Sequence, residues 1–145
     1  MDYLLATPQD IGRIESLLCA CGIAREDRPF APPGFHALAD ALGTLAGSVG
    51  IEVFGPIGLL QSLAIAPAFR GHGFGRQLVE FAEQTAQARG VISLYLLTTS
   101  AADFFARLGY TPIPRSTAPQ ALLATLETGA IGSGGGYMVK SWPTR

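Results

Sequence analysis

The sequence predicts a single α/β domain built around one parallel strand–helix–strand unit. Two apolar runs, Gly58 to Ala66 and Val91 to Leu97, are typical of strands that are buried on both faces. The segment between them, Arg76 to Arg89, carries its apolar residues at helical spacing on one face. A strand, a helix and a strand of these lengths form a right-handed crossover. Because the chain has 145 residues and shows no repeat, we expect one domain over residues 1–145.

The part of the chain before this unit predicts one helix, one loop and two strands. Thr7 can cap a helix that has Pro8 at its first position and that ends at Gly22. The segment Ala24 to Gly34 mixes charges with prolines, which favours a loop. Two strands follow around a turn at Gly43 and Thr44, over Phe35–Asp40 and Leu45–Phe54.

Four further elements are predicted after the unit. They are a helix over Ala101–Leu108, a strand over Tyr110–Ile113, a helix over Pro119–Thr128 and a strand over Tyr137–Trp142. Gly109 ends the first helix, and the glycine-rich run Gly129 to Gly136 predicts a flexible connection before the last strand.

Charge and composition exclude several classes of partner. The formal net charge is −1 and no basic run exists, which argues against nucleic acid and against a polybasic membrane anchor. No stretch predicts a transmembrane span, and the N-terminus lacks the basic start of a signal peptide. With two cysteines and no disulfide framework, we expect a cytoplasmic protein. The 48% of hydrophobic residues fits either a monomer with a well-filled core or a homodimer.

The run Arg70-Gly71-His72-Gly73-Phe74-Gly75 lies between the first buried strand and the amphipathic helix. Three alternating glycines leave backbone N–H groups uncovered, and the start of a helix adds unpaired amides and a positive dipole end. The run therefore predicts a nest for a pyrophosphate. Its spacing matches neither a P-loop nor a dinucleotide fingerprint, and a flexible surface turn is the alternative interpretation.

This region resembles the GNAT acetyltransferase superfamily. The segment Leu59 to Pro67 followed by Arg70–Gly75 is similar to the acetyl-CoA motif of that superfamily, and Phe104 to Tyr110 is similar to its aromatic-x-x-Leu-Gly-aromatic signature. The resemblance covers Gly50 to about Ile113. It implies a mixed, mostly antiparallel central sheet that is split by a splayed parallel strand pair and has helices on both faces.

A narrower resemblance connects the chain to acetyltransferases of bacterial arsenic-resistance operons. It is carried by Leu94 to Thr99, by the Phe104–Gly109 stretch, and by Arg115 with Ala118 and Pro119. The segment Gly132 to Gly136 departs from those proteins, which carry a Cys-Pro-x-Ser-like segment there. The resemblance implies transfer of an acetyl group from acetyl-CoA to a primary amine of a small molecule, such as an amino-acid-like toxic compound.

The resemblance also implies which residues bind the cosubstrate. Main-chain groups of the first buried strand would hold the pantetheine arm and polarise the thioester carbonyl, and the glycine loop would bind the pyrophosphate. Two flanking arginines would add positive charge near the phosphates. In chain order the implied residues are Leu63, Ala64, Ile65, Arg70, Gly71, His72, Gly73, Phe74, Gly75 and Arg76.

An attacking amine must lose a proton, and Glu52 is the predicted base, because it lies on the strand before the cosubstrate strand. A solvent-facing strand carboxylate is the alternative interpretation. The usual acid of the superfamily is a tyrosine, and Phe105 stands at that position. Thr99, Ser100 or Tyr110 could substitute for it.

Arg25 and Arg28 lie in the loop that shapes the acceptor pocket in the superfamily, where they could hold an anionic substrate. A solvated surface cluster is the competing interpretation. No metal is expected, since Cys19 and Cys21 would point apart on a helix and are too few for a closed metal site. Acetylation of a protein N-terminus or lysine, and a silent acetyl-CoA-binding module, are the alternative functions.

Overall fold

The computed structural model of the protein describes residues 2–5, 13–14, 16–17, 35–40, 42–98, 101–120 and 136–143. Within these residues the chain forms seven strands and two continuous helices. The strands are β1 (Asp2–Leu5), β2 (Phe35–Ala39), β3 (Leu45–Phe54), β4 (Ile57–Ile65), β5 (Ser93–Thr98), β6 (Thr111–Ile113) and β7 (Gly136–Ser141). The helices are α1 (Phe74–Ala88) and α2 (Ala102–Arg107).

The seven strands form one mixed sheet in the order β1-β2-β3-β4-β5-β7-β6. Among the described strands β4 and β5 are the parallel pair, and the other neighbours are antiparallel. The predicted mostly antiparallel sheet with a parallel pair is therefore confirmed. The crossover between the parallel strands is α1, as the alternation of apolar runs predicted.

One face of the sheet is covered by α1, which buries an apolar stripe against β3 and β4. Gly47 on β3 permits this close approach. A Cβ atom at Gly47 would lie 2.7 Å from the carbonyl oxygen of Ala64 and 2.8 Å from Cδ1 of Leu78, so a larger residue would push the helix away. The buried apolar residues of α1 are Leu78, Val79, Ala82 and Ala86.

The opposite face carries two smaller apolar clusters. In one of them, Ile14 and Leu17 from the predicted first helix pack against Ala37 and Ala64. Both Ile14 and Leu17 are helical, so helices contact both faces of the sheet, as expected. The other cluster is built from Leu59, Ala118 and Tyr137. No helix in the described part of the chain is long and apolar enough to cross a membrane.

Several predicted boundaries are corrected by the structure. The main helix begins at Phe74 and not at Arg76, because Gly73 with φ of 80° is already its N-cap. The strand β1 was not predicted, and β7 inserts between β5 and β6. Of the predicted helix over Pro119–Thr128, residues 121–128 lie outside the described residues, as does the loop Ala24–Gly34.

Candidate functional site

The parallel strands β4 and β5 separate after a short stretch of pairing. Their register runs through three positions and ends where Leu59 faces Tyr95. Beyond that point β4 stays paired with β3 up to Ile65, while β5 stays paired with β7 up to Thr98. The two strands thus stop pairing with each other well before their carboxyl ends, as the resemblance implied, and we call the space between those ends the cleft.

A bulge in β4 lies along this cleft. Ser48 of β3 pairs with Ala64 of β4, and Gly50 of β3 pairs with Gln61 of β4. Two residues along β3 therefore correspond to three residues along β4. The extra residue falls between Gln61 and Ala64, and such a bulge bends a strand and re-aims its backbone groups. The predicted pantetheine-binding residues therefore stand at an irregular stretch of backbone. Leu63 packs against the cluster under α1, and Ala64 packs on the opposite face.

The glycine loop presents backbone N–H groups at the start of α1. Gly71 and Gly73 have φ of 82° and 80°, a conformation that side chains disfavour. Gly73 is the N-cap and has no side chain to cap the helix, so the amides of residues 74–76 lack intrahelical acceptors. Among the described residues no acceptor bonds to the amides of residues 71–76. The loop can therefore bind an anion with its backbone.

Side chains connect the loop to the cleft. Arg70 Nε donates to the carbonyl oxygen of Ile65 at 3.1 Å, which joins the loop to the end of β4. At Gly75 an added Cβ would lie 3.3 Å from Cζ of Phe104 and 3.8 Å from Cγ1 of Ile65, so a glycine lets α2 approach the loop. Arg76 forms an exposed ion pair with Glu80 at 3.0 Å. His72 is exposed, and its ring centroid lies 5.8 Å from that of Phe74.

The predicted base, Glu52, lies half-buried on β3 opposite Leu59. Because paired residues share a face of the sheet, Glu52 stands on the face opposite α1. Gln61 Nε2 donates to Glu52 Oε1 at 2.9 Å. Leu59 is also the last residue of β4 that pairs with β5, so Glu52 lies beside the point where the cleft begins.

A second carboxylate was missed from the sequence. Glu83 on α1 is 7% exposed and accepts hydrogen bonds from Tyr110 Oη at 3.0 Å and from Lys140 Nζ at 3.1 and 3.2 Å. Lys140 also donates to the carbonyl oxygen of Leu108 at 2.9 Å. The sequence held one signal, since Glu83 falls at helical spacing between Val79 and Ala86 on the buried stripe.

The structure rules out Tyr110 as a proton donor to a leaving group. Its hydroxyl is bound to Glu83, and its residue is 3% exposed. Burial first, and then the charge and hydrogen bond of Glu83, raise the pKa of Tyr110 well above its usual range. Phe105, at the position of the usual tyrosine, is buried and packs edge-on against Tyr110 with ring centroids 5.6 Å apart.

Some predicted residues lie outside the described part of the chain. They are Cys19, Cys21, Arg25, Arg28, Thr99 and Ser100. Within the described ranges, no group of three or more His, Cys, Asp or Glu side chains could hold a metal ion.

Comparison with known proteins gives concordant matches. An acetyltransferase (GNAT) domain model matches residues 32–112. An uncharacterized N-acetyltransferase of Chlorobaculum tepidum is 36% identical over 84 residues, which are 57% of this chain and 54% of that protein. N-alpha-acetyltransferase 80 of Mus musculus is 44% identical over 52 residues, which are 36% of this chain and 17% of that protein. The chain thus spans about half or less of the length of these relatives.

A solved structure shares the fold over almost the whole chain. N-acetylglutamate synthase from Neisseria gonorrhoeae, in complex with coenzyme A and N-acetyl-glutamate, aligns with a TM-score of 0.83 at 20% identity. The alignment covers 99% of this chain and 35% of that protein. Because the domain model spans more than half of the sequence and the fold agrees with it, the chain belongs to the GNAT acetyltransferase domain family.

Proposed function

We propose that the chain transfers the acetyl group of acetyl-CoA to the primary amine of a small, amino-acid-like molecule. The observation that carries this proposal is the position of the glycine loop. Its unpaired amides, from Gly71 to Arg76, stand at the start of α1, and Arg70 ties the loop to the end of β4 where the sheet splits. An anion bound at the loop would thus leave the rest of its molecule free to enter the cleft.

In this proposal the cosubstrate occupies the loop and the cleft together. The amides of Gly71, His72, Gly73, Phe74 and Gly75 bind the pyrophosphate, with positive charge from Arg70 and Arg76. Leu63, Ala64 and Ile65 hold the pantetheine arm by main-chain groups at the bulge. The structure of the Neisseria enzyme contains coenzyme A on the same fold, which supports this assignment.

The proposed reaction is direct transfer with Glu52 as the base. An ammonium group has no lone pair, so Glu52 first takes a proton, directly or through water. The amine nitrogen then attacks the carbonyl carbon of the thioester, and an amide near Ile65 stabilises the oxyanion. The attached nitrogen then carries one proton more than an amide, and it releases this proton to water. The carbon–sulfur bond breaks as the carbonyl reforms, and the products are an N-acetyl amine, the CoA thiolate and two protons, one on Glu52 and one on water.

The leaving thiolate needs no dedicated acid in this scheme. Phe105 has no proton to give, and the proton of Tyr110 is bound to Glu83. A thiol with an ordinary pKa of about 8.5 leaves as an anion at a cost that enzymes tolerate, and water can protonate it afterwards. We therefore propose that the thiolate departs unprotonated.

The acceptor class is the finer part of the proposal. The Neisseria neighbour carries N-acetyl-glutamate, an acetylated amino acid, and Arg25 and Arg28 would bind the carboxylate of such a substrate. The resemblance to arsenic-operon enzymes adds toxic amino-acid analogues to the same class. The mouse relative instead favours a protein N-terminus as the acceptor, which is the second candidate. The cytoplasmic location and the monomeric or dimeric state stay predictions.

The proposal is tested by measuring release of the CoA thiol with a panel of amines, beside calorimetric binding of acetyl-CoA. The panel contains amino acids, phosphinothricin-like analogues, polyamines, aminoglycosides and short peptides. We expect binding, and turnover with at least one amino-acid-like amine. Turnover with peptides only would replace the small-molecule acceptor by a protein N-terminus. Binding without turnover on any amine would favour a silent module, and absence of binding would refute the assignment of the loop.

A further inference from the structure

We propose that Gln61 is the positioning residue for the catalytic carboxylate, and that it couples Glu52 to the strand segment that holds the thioester. This inference rests on the proposed function, in which Glu52 is the base. The direct observation is the hydrogen bond from Gln61 Nε2 to Glu52 Oε1, 2.9 Å long and partly buried. A donor to a carboxylate makes a charge-assisted bond, which is stronger than a bond between neutral groups.

The register of β3 and β4 explains why these two side chains meet. Glu52 pairs with Leu59, and Gln61 pairs with Gly50, so Glu52 and Gln61 are diagonal neighbours on one face. Diagonal neighbours in an antiparallel pair are about 7–8 Å apart at the backbone, which two long side chains can bridge. The residue directly opposite Gln61 is a glycine and offers no side chain. The amide of Gln61 therefore turns to Glu52.

The position of Gln61 along β4 makes the bond relevant to the reaction. Gln61 is the last regularly paired residue before the bulge, and it lies two residues past the end of the pairing with β5. The bulge leads directly into Leu63 and Ile65, whose main chain is proposed to hold the thioester. One strand thus carries both the oxyanion donor and the amide that orients the base. Because both groups belong to β4, a shift of this strand would move the proposed thioester site and the amide that orients Glu52 together.

Orientation of this kind affects the chemical step more than binding. A misplacement of about 1 Å in a reacting group can lower a rate about a hundredfold. Gln61→Met keeps the length of the side chain and removes the donor. We expect this variant to lower kcat about tenfold, with the affinity for acetyl-CoA unchanged.

A double-mutant cycle separates positioning from general stabilisation. If Gln61 acts through Glu52, Gln61→Met should not lower kcat further in a Glu52→Gln background, because the base is already lost. The matched control is Gln84→Met on the exposed side of α1, which should leave kcat unchanged. Thermal midpoints of all variants show whether they are folded, and calorimetry with acetyl-CoA reports the cosubstrate site.

The outcomes distinguish this inference from the proposed function. If Glu52→Gln turns over as fast as the parent protein, the assigned base is wrong and the inference falls with it. If Glu52→Gln is slow but a folded Gln61→Met is as fast as the parent, the base stands and the positioning role is refuted. Equal losses from Gln61→Met in both backgrounds would also refute it, since the residue would then act independently of Glu52.

Discussion

Two carboxylates on opposite sides of the sheet have very different surroundings. Glu83 is bound by Tyr110 and Lys140, in a cluster that joins α1, the end of α2 and β7. Glu52 is half-buried beside the point where β4 and β5 stop pairing, and Gln61 of the neighbouring strand donates a hydrogen bond to it at 2.9 Å. Both carboxylate oxygens of Glu83 are bound by groups of its own chain, and we call this site the closed cluster. Glu52 is the carboxylate that we propose a substrate reaches.

If Glu52 is the base, as we propose, the comparison teaches that burial of a carboxylate is by itself a poor guide to catalysis. Glu83 is the more deeply buried of the two and has both a cation and a hydroxyl as partners. Those partners bind both of its carboxylate oxygens. Glu52 is less buried, and it accepts a hydrogen bond from the neutral side-chain amide of Gln61. The distinction that we propose between the two carboxylates therefore depends on their surroundings and not on their depth of burial.

The largest expected effect comes from Glu52→Gln, which removes the base and keeps the shape. We expect kcat to fall about a hundredfold to a thousandfold, because general base catalysis contributes roughly that much. The free energy of unfolding and the affinity for acetyl-CoA should stay close to those of the parent protein. Steady-state kinetics and calorimetry check both parts. A Glu52→Gln variant that unfolds more easily but keeps its kcat would contradict this prediction, because Glu52 would then stabilise the fold, as Glu83 is expected to do, and would not be the base.

Lys140→Met in the closed cluster should have the converse effect, which is a loss of stability with little change in kcat. Removal of one partner from a mostly buried pair leaves Glu83 with an uncompensated charge. Because Lys140 is partly exposed, we expect a loss of about 2 kcal/mol in the free energy of unfolding, below the range for fully buried pairs. Chemical denaturation measures it, and kcat per folded molecule should change little.

The exposed pair Arg76–Glu80 supplies the control for this prediction. Glu80→Gln should alter the free energy of unfolding by less than about 0.5 kcal/mol, because both side chains are largely solvated. A Lys140→Met protein as stable as Glu80→Gln would show that the closed cluster contributes no stability.

A smaller effect is expected at the glycine loop. Gly73→Ala places a side chain at φ of 80°, which costs about 1 kcal/mol, and relief of that strain would turn the loop amides away. We expect about tenfold weaker binding of acetyl-CoA by calorimetry. Gly90→Ala is the matched control, since Gly90 has φ of 90° and no atom within 4 Å of an added Cβ, as at Gly73. Equal losses of affinity in both variants would contradict a specific role for the loop.

The last prediction concerns the buried histidine His36 on β2. His36 is 7% exposed, its Nδ1 finds no hydrogen-bond partner among the described residues, and its ring contacts Phe81 edge-on. Burial, and then the charge of Arg89, lower the pKa of His36 below its usual 6.5. Protonation therefore favours the unfolded chain. The free energy of unfolding should be fully retained above about pH 6.5 and should fall as the pH drops below that value.

Chemical denaturation at pH 8, 6 and 5 tests this prediction. His36→Phe keeps a ring against Phe81 and removes the titrating group, so its stability should depend less on pH. His72→Asn, at the exposed loop histidine, is the matched control for the removal of a histidine. Identical slopes for the parent and His36→Phe would assign the acid sensitivity to other groups.

The elements that were predicted correctly from the sequence are those with a clear local pattern of apolar residues. The span of β3 was predicted residue for residue, and the bounds of β2, β4, β5 and α2 within one or two residues, because alternation and helical periodicity are local properties. The start of α1 was placed two residues late because Gly73, inside the loop, already serves as the helix cap. The two-residue connection between Phe54 and Ile57 was not identified, although Gly55 takes φ of 66° there.

The sequence by itself determined the strand–helix–strand unit, the glycine loop and the choice of Glu52 as a candidate base. Only the tertiary structure decided which groups meet. Tyr110 lies 27 residues and Lys140 lies 57 residues after Glu83 in the sequence. The insertion of β7 beside β5 is what brings Lys140 to α1. The contact between Gln61 and Glu52 likewise depends on the register of β3 and β4 and on where the bulge falls. Pairing of distant strands depends on closing the whole sheet at once, and no local periodicity contains that information.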